Sequence, residues 1–271
     1  MNRNRITIRV GHDTLSFAVT EPAVATPGGT GTHEAVVYEP YVVKSGVSIA
    51  ANLREAFKTS GLLVGNYLRA RVLVDSPVLM VPLEQFEQST VKVLYEHAYP
   101  ELSQYQVLYN VLPNLNAVAA FGVHSDLKLV VDDHYRDVTF YCAMTPVWRH
   151  LHQRSFRGIR NKLFAYFHER KIDIFAFQQN RFKYCNQFKA YKANDALYYL
   201  LYVWQQLALD STHDELHLVG ELPGDGELAE KLEDYLKKVH VIDPAADFGE
   251  SAVAQYKGMP YDLMTLFAKE R

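Results

Sequence analysis

Residues 5–19 read RITIRVGHDTLSFAV, and residues 162–178 read KLFAYFHERKIDIFAFQ. In each stretch, two segments of alternating or apolar residues flank a short polar turn, which is the pattern of a β-hairpin. The first turn contains Gly11 and Asp13, and the second contains Glu169 and Lys171. The chain therefore predicts two hairpins of similar size, one near its start and one after its midpoint.

The same kinds of element follow each hairpin. After the first, the pattern predicts a strand over 36–43, a helix over 48–60 and a strand over 71–75. After the second, it predicts a strand over 181–188, a helix over 194–208 and a strand over 217–220. This repeated order indicates two related α/β lobes with a cleft between them. We place the lobes at 1–153 and 160–271, joined by the arginine-rich segment 154–161.

The remaining periodicity predicts further elements in both lobes. In the first lobe they are an extended segment 77–81, a helix 84–97, a strand pair 105–112 and 116–123, a helix 125–135, a strand 138–144 and a helix 146–153. In the second lobe they are a helix 225–238, a strand 239–242 and a final helix after Pro260. We also predict that Asn194 caps its helix and that Phe182, Tyr184 and Phe188 share one strand face.

Composition excludes some classes of protein. The chain has 271 residues, of which 48% are hydrophobic and 22% are charged, as in ordinary globular proteins. Its net charge of −3 gives no overall attraction to nucleic acid or to an anionic membrane. No run of eighteen apolar residues is present, so we expect no membrane insertion. No secretory leader is visible, and Cys142 and Cys185 are expected to be two buried thiols. We therefore expect a cytoplasmic protein.

Several catalytic and metal patterns are missing or weak. Gly28-Gly29-Thr30-Gly31 lacks the Gly-Lys-Ser/Thr ending of a nucleotide P-loop and is expected to be a connecting loop. No Gly-x-Ser-x-Gly elbow is present. Asp132, Asp133 and His134 with His150 and His152 match no structural zinc spacing, so we predict no metal site.

The longer-range pattern resembles a known family. The segments that carry the resemblance run nearly end to end: Ile6–Val19, Val81–Phe86, Phe188 with Asp195, Tyr198 and Tyr199, Leu218–Glu221 and Met259–Leu263. They resemble a bacterial family, domain of unknown function 3822, which is assigned to the actin-like ATPase superfamily, and the order of elements is similar to the type IV pilus assembly ATPase branch. The resemblance implies a duplicated ribonuclease H-like fold, in which each lobe has a three-strand meander plus parallel strands, flanked by helices.

The resemblance also implies where a nucleotide would bind. In the actin-like fold, two hairpin tips with Asp-x-Gly sequences face each other around the phosphates and magnesium, and a loop with paired glycines contacts the adenosine. Here the first tip has Gly11 and Asp13 in the reverse order, and the second tip has Lys171 but neither glycine nor Asp. The third loop keeps one glycine, Gly220, followed by Glu221. These four residues, Gly11, Asp13, Lys171 and Gly220, are the candidates for a nucleotide cleft that binds ATP and magnesium.

Because both Asp-x-Gly tips are missing, we interpret the chain as a non-catalytic scaffold or protein-binding module with a protein partner and no required cofactor. One alternative is an ATP-binding switch or weak ATPase that uses the interlobe cleft. A second alternative is RNA binding through basic residues interleaved with aromatic ones. The basic residues are Arg149, Arg154, Arg157, Arg160, Lys162, Arg181, Lys183, Lys189 and Lys192, and the aromatic ones are Phe182, Tyr184, Phe188 and Tyr191.

Overall fold

The computed structural model describes residues 5–21, 35–224, 226–249 and 251–268. The predicted connecting loop at Gly28–Gly31 lies outside these ranges, and so does Asp225. All structural statements refer to the described residues.

The described residues form three sheets and eight α-helices. The strands are β1 (Arg5–Val10), β2 (Leu15–Glu21), β3 (Ala35–Tyr41), β4 (Arg69–Val74), β5 (Val78–Pro82), β6 (Tyr105–Leu112), β7 (Ala117–His124), β8 (Asp137–Cys142), β9 (Lys162–His168), β10 (Lys171–Gln178), β11 (Arg181–Lys189), β12 (Glu215–Gly220) and β13 (Val239–Val241). The helices are α1 (Ile49–Thr59), α2 (Val91–Ala98), α3 (Ser125–His134), α4 (Met144–Ser155), α5 (Ala193–Gln206), α6 (Glu227–Glu233), α7 (Pro244–Phe248) and α8 (Tyr261–Phe267).

Two five-stranded sheets have the same topology. The first has the order β3-β2-β1-β4-β8, and the second has the order β11-β10-β9-β12-β13. In each sheet the first three strands in sequence form an antiparallel meander, and the last two add in parallel beside the first strand of the hairpin. The predicted duplication of an α/β unit, with a meander plus parallel strands in each copy, is thus present in the strand pairings.

The third sheet is an insertion in the first copy. It has the order β5-β7-β6 and lies in sequence between β4 and β8, whereas the described residues between the parallel strands of the second copy form helix α6. The helix predicted over 84–97 is wrong in its first half, because α2 begins at Val91. Phe86 instead takes an extended conformation and packs against Tyr109, with ring centroids 4.9 Å apart.

Three further local predictions are corrected. Helix α5 is capped at Lys192, whose backbone N–H donates to the Asp195 carboxylate over 3.0 Å, while Asn194 accepts a hydrogen bond from Lys231. The helix predicted over 225–238 is α6, and it ends at Glu233. The next residues leave the helix because Lys237 donates its backbone N–H to Ser211 beside β12.

The third correction concerns the aromatic face of β11. A bulge at Lys183 shifts the register, so that Phe177 faces Phe182 and Ala176 faces Tyr184. Phe182 consequently packs on Trp148, with centroids 5.4 Å apart, whereas Tyr184 and Phe188 pack on the opposite core. The prediction that the three aromatic residues share one face is therefore wrong.

The main hydrophobic core spans both sheets and includes the C-terminal segment. Phe17 and Trp148 of the first half, Phe164 of the second and Leu263 of α8 belong to it, and all four are fully buried. A second core lies between the outer face of the second sheet and helices α5 and α6. Residues after 242 thus pack with the first sheet as well as the second, and the limits of the two lobes stay a prediction.

Two other expectations concern the cysteines, expected to be buried thiols, and membrane insertion, which was not expected. Both thiols are free, as expected, but only Cys142 is buried, whereas Cys185 is half-buried because it lies on the edge strand β11. None of the helices in the described part of the chain combines the length and apolar character that a membrane span requires.

We predict that the terminal helix stabilises the whole chain. Leu263→Ala removes a fully buried side chain from the main core and is expected to lower the free energy of unfolding by about 2–5 kcal/mol. Urea unfolding measures this change. Leu129→Ala is the matched control, since Leu129 is 55% exposed on α3. Equal effects of the two substitutions would contradict the packing of α8 described above.

Candidate functional site

The tips of the β1–β2 and β9–β10 hairpins meet at the boundary between the two sheets. The second tip is a two-residue turn in which Glu169 and Arg170 have φ of 45° and 62°. Positive φ at both central residues is the geometry that closes a two-residue hairpin, although side chains other than glycine adopt it reluctantly. This turn directs the Glu169 side chain at the first tip.

The Glu169 carboxylate accepts three hydrogen bonds from the first hairpin. The backbone N–H of His12 donates over 2.6 Å, the Thr14 hydroxyl over 2.6 Å and the Arg9 guanidinium over 2.8 Å. These donors are the types that bind a phosphate oxygen at a hairpin tip: a backbone amide, a hydroxyl and a guanidinium. The second hairpin therefore supplies its own anion to the first.

Arg9 connects this contact to the terminal helix. Its guanidinium is 2% exposed and binds the fully buried Asp262 carboxylate through Nε at 2.8 Å and Nη2 at 2.9 Å. The Tyr166 hydroxyl donates to the same carboxylate over 3.1 Å. We call Arg9, Thr14, Tyr166, Glu169 and Asp262 the Glu169 cluster. It joins β1, β9, the second hairpin tip and α8 in one network.

The charges of this cluster are strongly coupled. Burial would raise the pKa of Glu169, but the Arg9 charge and the bonds from Thr14, Arg9 and His12 lower it to about 2. Burial would likewise lower the pKa of Arg9, but Asp262 raises it well above its ordinary value. Glu169 and Arg9 are thus both ionised at neutral pH. The carboxyl groups of two residues, Glu169 and Asp262, contact this one guanidinium.

Gly11 makes the approach of Glu169 feasible. A β-carbon at Gly11 would lie 1.9 Å from Glu169 Oε1 and 2.3 Å from the Thr14 hydroxyl oxygen, closer than atoms pack. The first of the predicted site residues therefore lies at the tip, as expected, and its small size admits a carboxylate of the chain itself. Asp13 is exposed beside it and pairs with His12 at 2.9 Å.

Lys171 belongs to a second buried group behind the tip. Its ammonium pairs with Asp75, which follows β4 and is 3% exposed. His168 lies between Asp75 at 3.6 Å and Asp173 at 2.6 Å. Burial would lower the pKa of His168, but the hydrogen bond to Asp173 and the charge of Asp75 raise it above its ordinary value. The Lys171 charge is thus directed at Asp75 of the first half.

Gly220 lies at the end of β12 with φ of +95°, and a β-carbon there would be 2.1 Å from the Phe167 carbonyl oxygen. Both the conformation and the space require glycine. Of the four candidate residues, Gly220 lines the cleft between the sheets, while Gly11, Asp13 and Lys171 do not. That these four residues bind a nucleotide stays a prediction.

The interlobe cleft has a volume of about 390 Å³. Its apolar lining is rich in rings and includes Tyr38, Pro40, Tyr41, Tyr166, Met259 and Tyr261. Its lining residues with acidic or basic side chains are Arg9, His168, Glu169 and Glu221, with Asp262 behind Arg9. The cleft is therefore an aromatic groove with carboxyl groups in its lining.

Sequence reasoning did not identify Arg9, Tyr166, Glu169 or Asp262 as a group. The sequence does indicate that two of these charges are buried. Arg9 lies between Ile8 and Val10 in a predicted strand, and Asp262 lies between Tyr261 and Leu263. A charge at such a position predicts a buried partner. Which residue is the partner depends on contacts across most of the chain.

Some basic residues of the predicted RNA surface are engaged within the chain, whereas Arg149, Arg157, Lys189 and Lys192 are exposed. Arg154 binds Asp247 at 2.8 Å, Arg160 donates to the His213 carbonyl oxygen at 2.8 Å, and Lys162 is buried. The aromatic residues among them are packed, except Tyr191, which is 59% exposed. Two of the histidines weighed in sequence as metal ligands have other contacts: His150 binds Asp247, and His152 binds the Gln179 carbonyl oxygen.

Solved structures that are similar to nearly the whole chain include the following two. A crystal structure of a Bacteroides thetaiotaomicron VPI-5482 protein with an actin-like ATPase fold and unknown function has a TM-score of 0.84 and 27% identity, and the match covers 99% of this chain and 97% of that one. The PilM–PilN type IV pilus biogenesis complex contains a chain with a TM-score of 0.57 and 12% identity, and the match covers 99% and 98% of the two chains. The chain thus has the actin-like ATPase fold, as the resemblance implied.

Among curated proteins, none matches this chain. The sequence model of one protein family, described as protein of unknown function (DUF3822), matches residues 1–239, which is most of the chain. This chain therefore belongs to the DUF3822 family.

Proposed function

We propose that this protein is a non-catalytic scaffold, a protein-binding module on an actin-like ATPase fold. The observation that carries the proposal is the Glu169 carboxylate, which accepts hydrogen bonds from the His12 amide, Thr14 and Arg9 at the first hairpin tip. A phosphate would need these same donors. In this chain, the Glu169 carboxylate takes the position that a phosphate would take.

Displacement of Glu169 by a phosphate would be costly. The carboxylate would have to leave three donors, and breaking a buried ion pair typically costs about 3–5 kcal/mol. Arg9 would keep its bidentate contact with Asp262, so it would remain largely neutralised. Glu221 in the same cleft adds a negative charge that repels a triphosphate.

The lining of the interlobe cleft supports a protein partner. Tyrosine and proline surfaces bind extended peptide segments, because rings offer large contact area with little loss of side-chain entropy. The carboxylates of Glu169 and Glu221 favour a neutral or basic segment over an acidic one. PilM, a protein of the same fold, is found in a complex with PilN, so protein binding is one use of this architecture.

A second candidate is the ATP-binding switch. It is favoured by the same donors: a backbone amide, a hydroxyl and Arg9 converge on one anion, and Glu169 lies on a turn between two strands. In that case a phosphate would replace Glu169, with Lys171 and Gly220 nearby, and the exchange would couple the two hairpins. The RNA alternative is weakened by the internal contacts of Arg154, Arg160 and Lys162.

We predict that the wild-type protein shows no saturable binding of Mg-ATP or Mg-ADP in isothermal titration at millimolar concentrations. Glu169→Gly removes the carboxylate, and glycine readily adopts the positive φ at this position. The scaffold proposal expects no binding to this variant either, because Lys171 remains paired with Asp75 and Glu221 remains in the cleft.

The two candidates differ in their outcomes. Saturable, magnesium-dependent binding to the wild type at micromolar nucleotide would overturn the scaffold proposal. Binding that is weak in the wild type and much stronger in Glu169→Gly would establish the switch. Glu169→Gln is the matched control, because it keeps the size of the side chain and removes only its charge.

A second prediction concerns acid stability. The pKa of Glu169 is about 2 when folded, against an ordinary value of 4.5, so the unfolded chain binds the proton more readily. The ionised carboxylate therefore stabilises the fold above pH 4.5. Between pH 7 and pH 3 its contribution to the free energy of unfolding is expected to fall by about 2 kcal/mol. Urea unfolding at each pH measures the free energy of unfolding of wild type and of Glu169→Gln. The difference between the two is expected to become about 2 kcal/mol smaller from pH 7 to pH 3.

Glu87→Gln is the control for this experiment, since Glu87 is exposed and outside the cluster. Its stability difference from wild type is expected to stay nearly constant with pH. A gap that does not narrow for Glu169→Gln would mean that Glu169 is not ionised in the cluster.

A third prediction tests the cleft as the partner surface. Pro40 is exposed on the edge strand β3 and lines the cleft, and Pro40→Arg adds bulk and positive charge there. Proteins that wild type captures reproducibly from extract of its source cells are expected to be lost with this variant. Val42→Arg is the control, because Val42 is 89% exposed just beyond β3 and outside the cleft. Equal capture by both variants would exclude the cleft.

A further inference from the structure

Two strands of the second sheet bring an acidic residue and two histidines together. Glu215 and His217 are separated by one residue on β12, so their side chains project from the same face of the sheet. The parallel pairing of β12 with β13 places His240 directly beside His217. The three residues lie at the edge of the sheet, away from the Glu169 cluster and the interlobe cleft.

The distances within this group suit a metal ion. One ligand atom of each residue can be chosen so that all three lie within 4.8 Å of one another. His217 Nε2 is 3.1 Å from Glu215 Oε2, and the two imidazole rings are stacked with centroids 4.9 Å apart. Ligands around zinc at bond lengths of about 2.0–2.2 Å lie roughly 3.4 Å apart in a tetrahedron. Because His240 is exposed, its ring can turn to close the remaining gap.

The surroundings of His217 also suit a ligand. The ring packs on Phe164, with centroids 5.3 Å apart and planes at 26°, and its Nε2 faces Glu215. A histidine held beside a carboxylate, with a second histidine next to it, is the donor set of many zinc sites.

We propose that Glu215, His217 and His240 bind one Zn²⁺ ion, which joins the edge strand β13 to β12 and keeps a fourth position open to solvent. The donor set of two imidazoles and one carboxylate selects zinc over magnesium or calcium, which prefer oxygen ligands. The site is independent of the function proposed above.

Lys162 is the neighbouring group that competes for Glu215. Its ammonium lies 3.7 Å from the Glu215 carboxylate, but it donates to the backbone carbonyl oxygens of Arg157 and Arg160. Lys162 is thus held by two other acceptors, and Glu215 can turn toward a metal without leaving the ammonium unsatisfied. The alternative is a metal-free arrangement in which Glu215 serves only His217 and Lys162.

Isothermal titration of chelator-treated full-length protein with zinc chloride tests the proposal. One Zn²⁺ ion per chain is expected to bind, and His240→Ala should weaken binding by more than about 100-fold, since even loss of an outer-shell partner costs about 10–100-fold. His240 is exposed, so this variant should fold like the wild type. His213→Ala is the matched control, because His213 is an exposed histidine near Asp210 and outside the group; its zinc affinity should equal that of wild type.

Hydrogen exchange provides a second readout that distinguishes this site from weak binding elsewhere. Zinc is expected to slow amide exchange in Val239–Val241 of wild type and His213→Ala, and to leave it unchanged in His240→Ala. Absence of zinc binding to wild type, or equal zinc affinity in His240→Ala, would overturn the proposal and favour the metal-free arrangement.

Discussion

The structure depends on the buried guanidinium of Arg9. It contacts Asp262 from the terminal helix and Glu169 from the second hairpin, while its own strand β1 lies at the centre of the first sheet. Removing a charged partner from such a site leaves another charge buried without compensation, which is strongly destabilising. One side chain therefore fixes the relative positions of the two hairpins and the end of the chain.

This constraint explains why the hairpin tips depart from the pattern of an actin-like nucleotide site. In that pattern, tips rich in glycine and aspartate leave space for phosphate and magnesium. Here Gly11 provides the space, and Glu169 occupies it. The carboxylate at the second tip depends on the first tip, because the His12 amide, Thr14 and the Arg9 guanidinium keep it ionised. Lys171, which looks like a phosphate ligand in sequence, meets Asp75 instead.

The two halves use one topology for different contacts. In the first sheet, β1 presents Arg9 to the boundary between the lobes. In the second sheet, the equivalent strand β9 presents Tyr166, which donates to the same Asp262 carboxylate. The outer edge of the second sheet carries Glu215, His217 and His240, whereas the corresponding edge strand of the first sheet, β8, contacts helix α3 and strand β6 of the inserted sheet. The two sheets thus share a backbone topology and differ in their polar groups.

The sequence by itself determined the repeated order of elements, because alternation and helical periodicity are local properties of neighbouring residues. It also determined that the tips lack the Asp-x-Gly pattern, and it placed Gly11 and Gly220 at turns. Element ends and strand faces were less well predicted: the bulge at Lys183 and the extended Phe86 arise from packing with distant residues. The partners of Arg9 and the neighbours of His217 were decided only by the tertiary structure. The reason is physical: Arg9 and Asp262 lie near opposite ends of the chain, and only the pairing of strands and the docking of α8 bring such charges within hydrogen-bond distance.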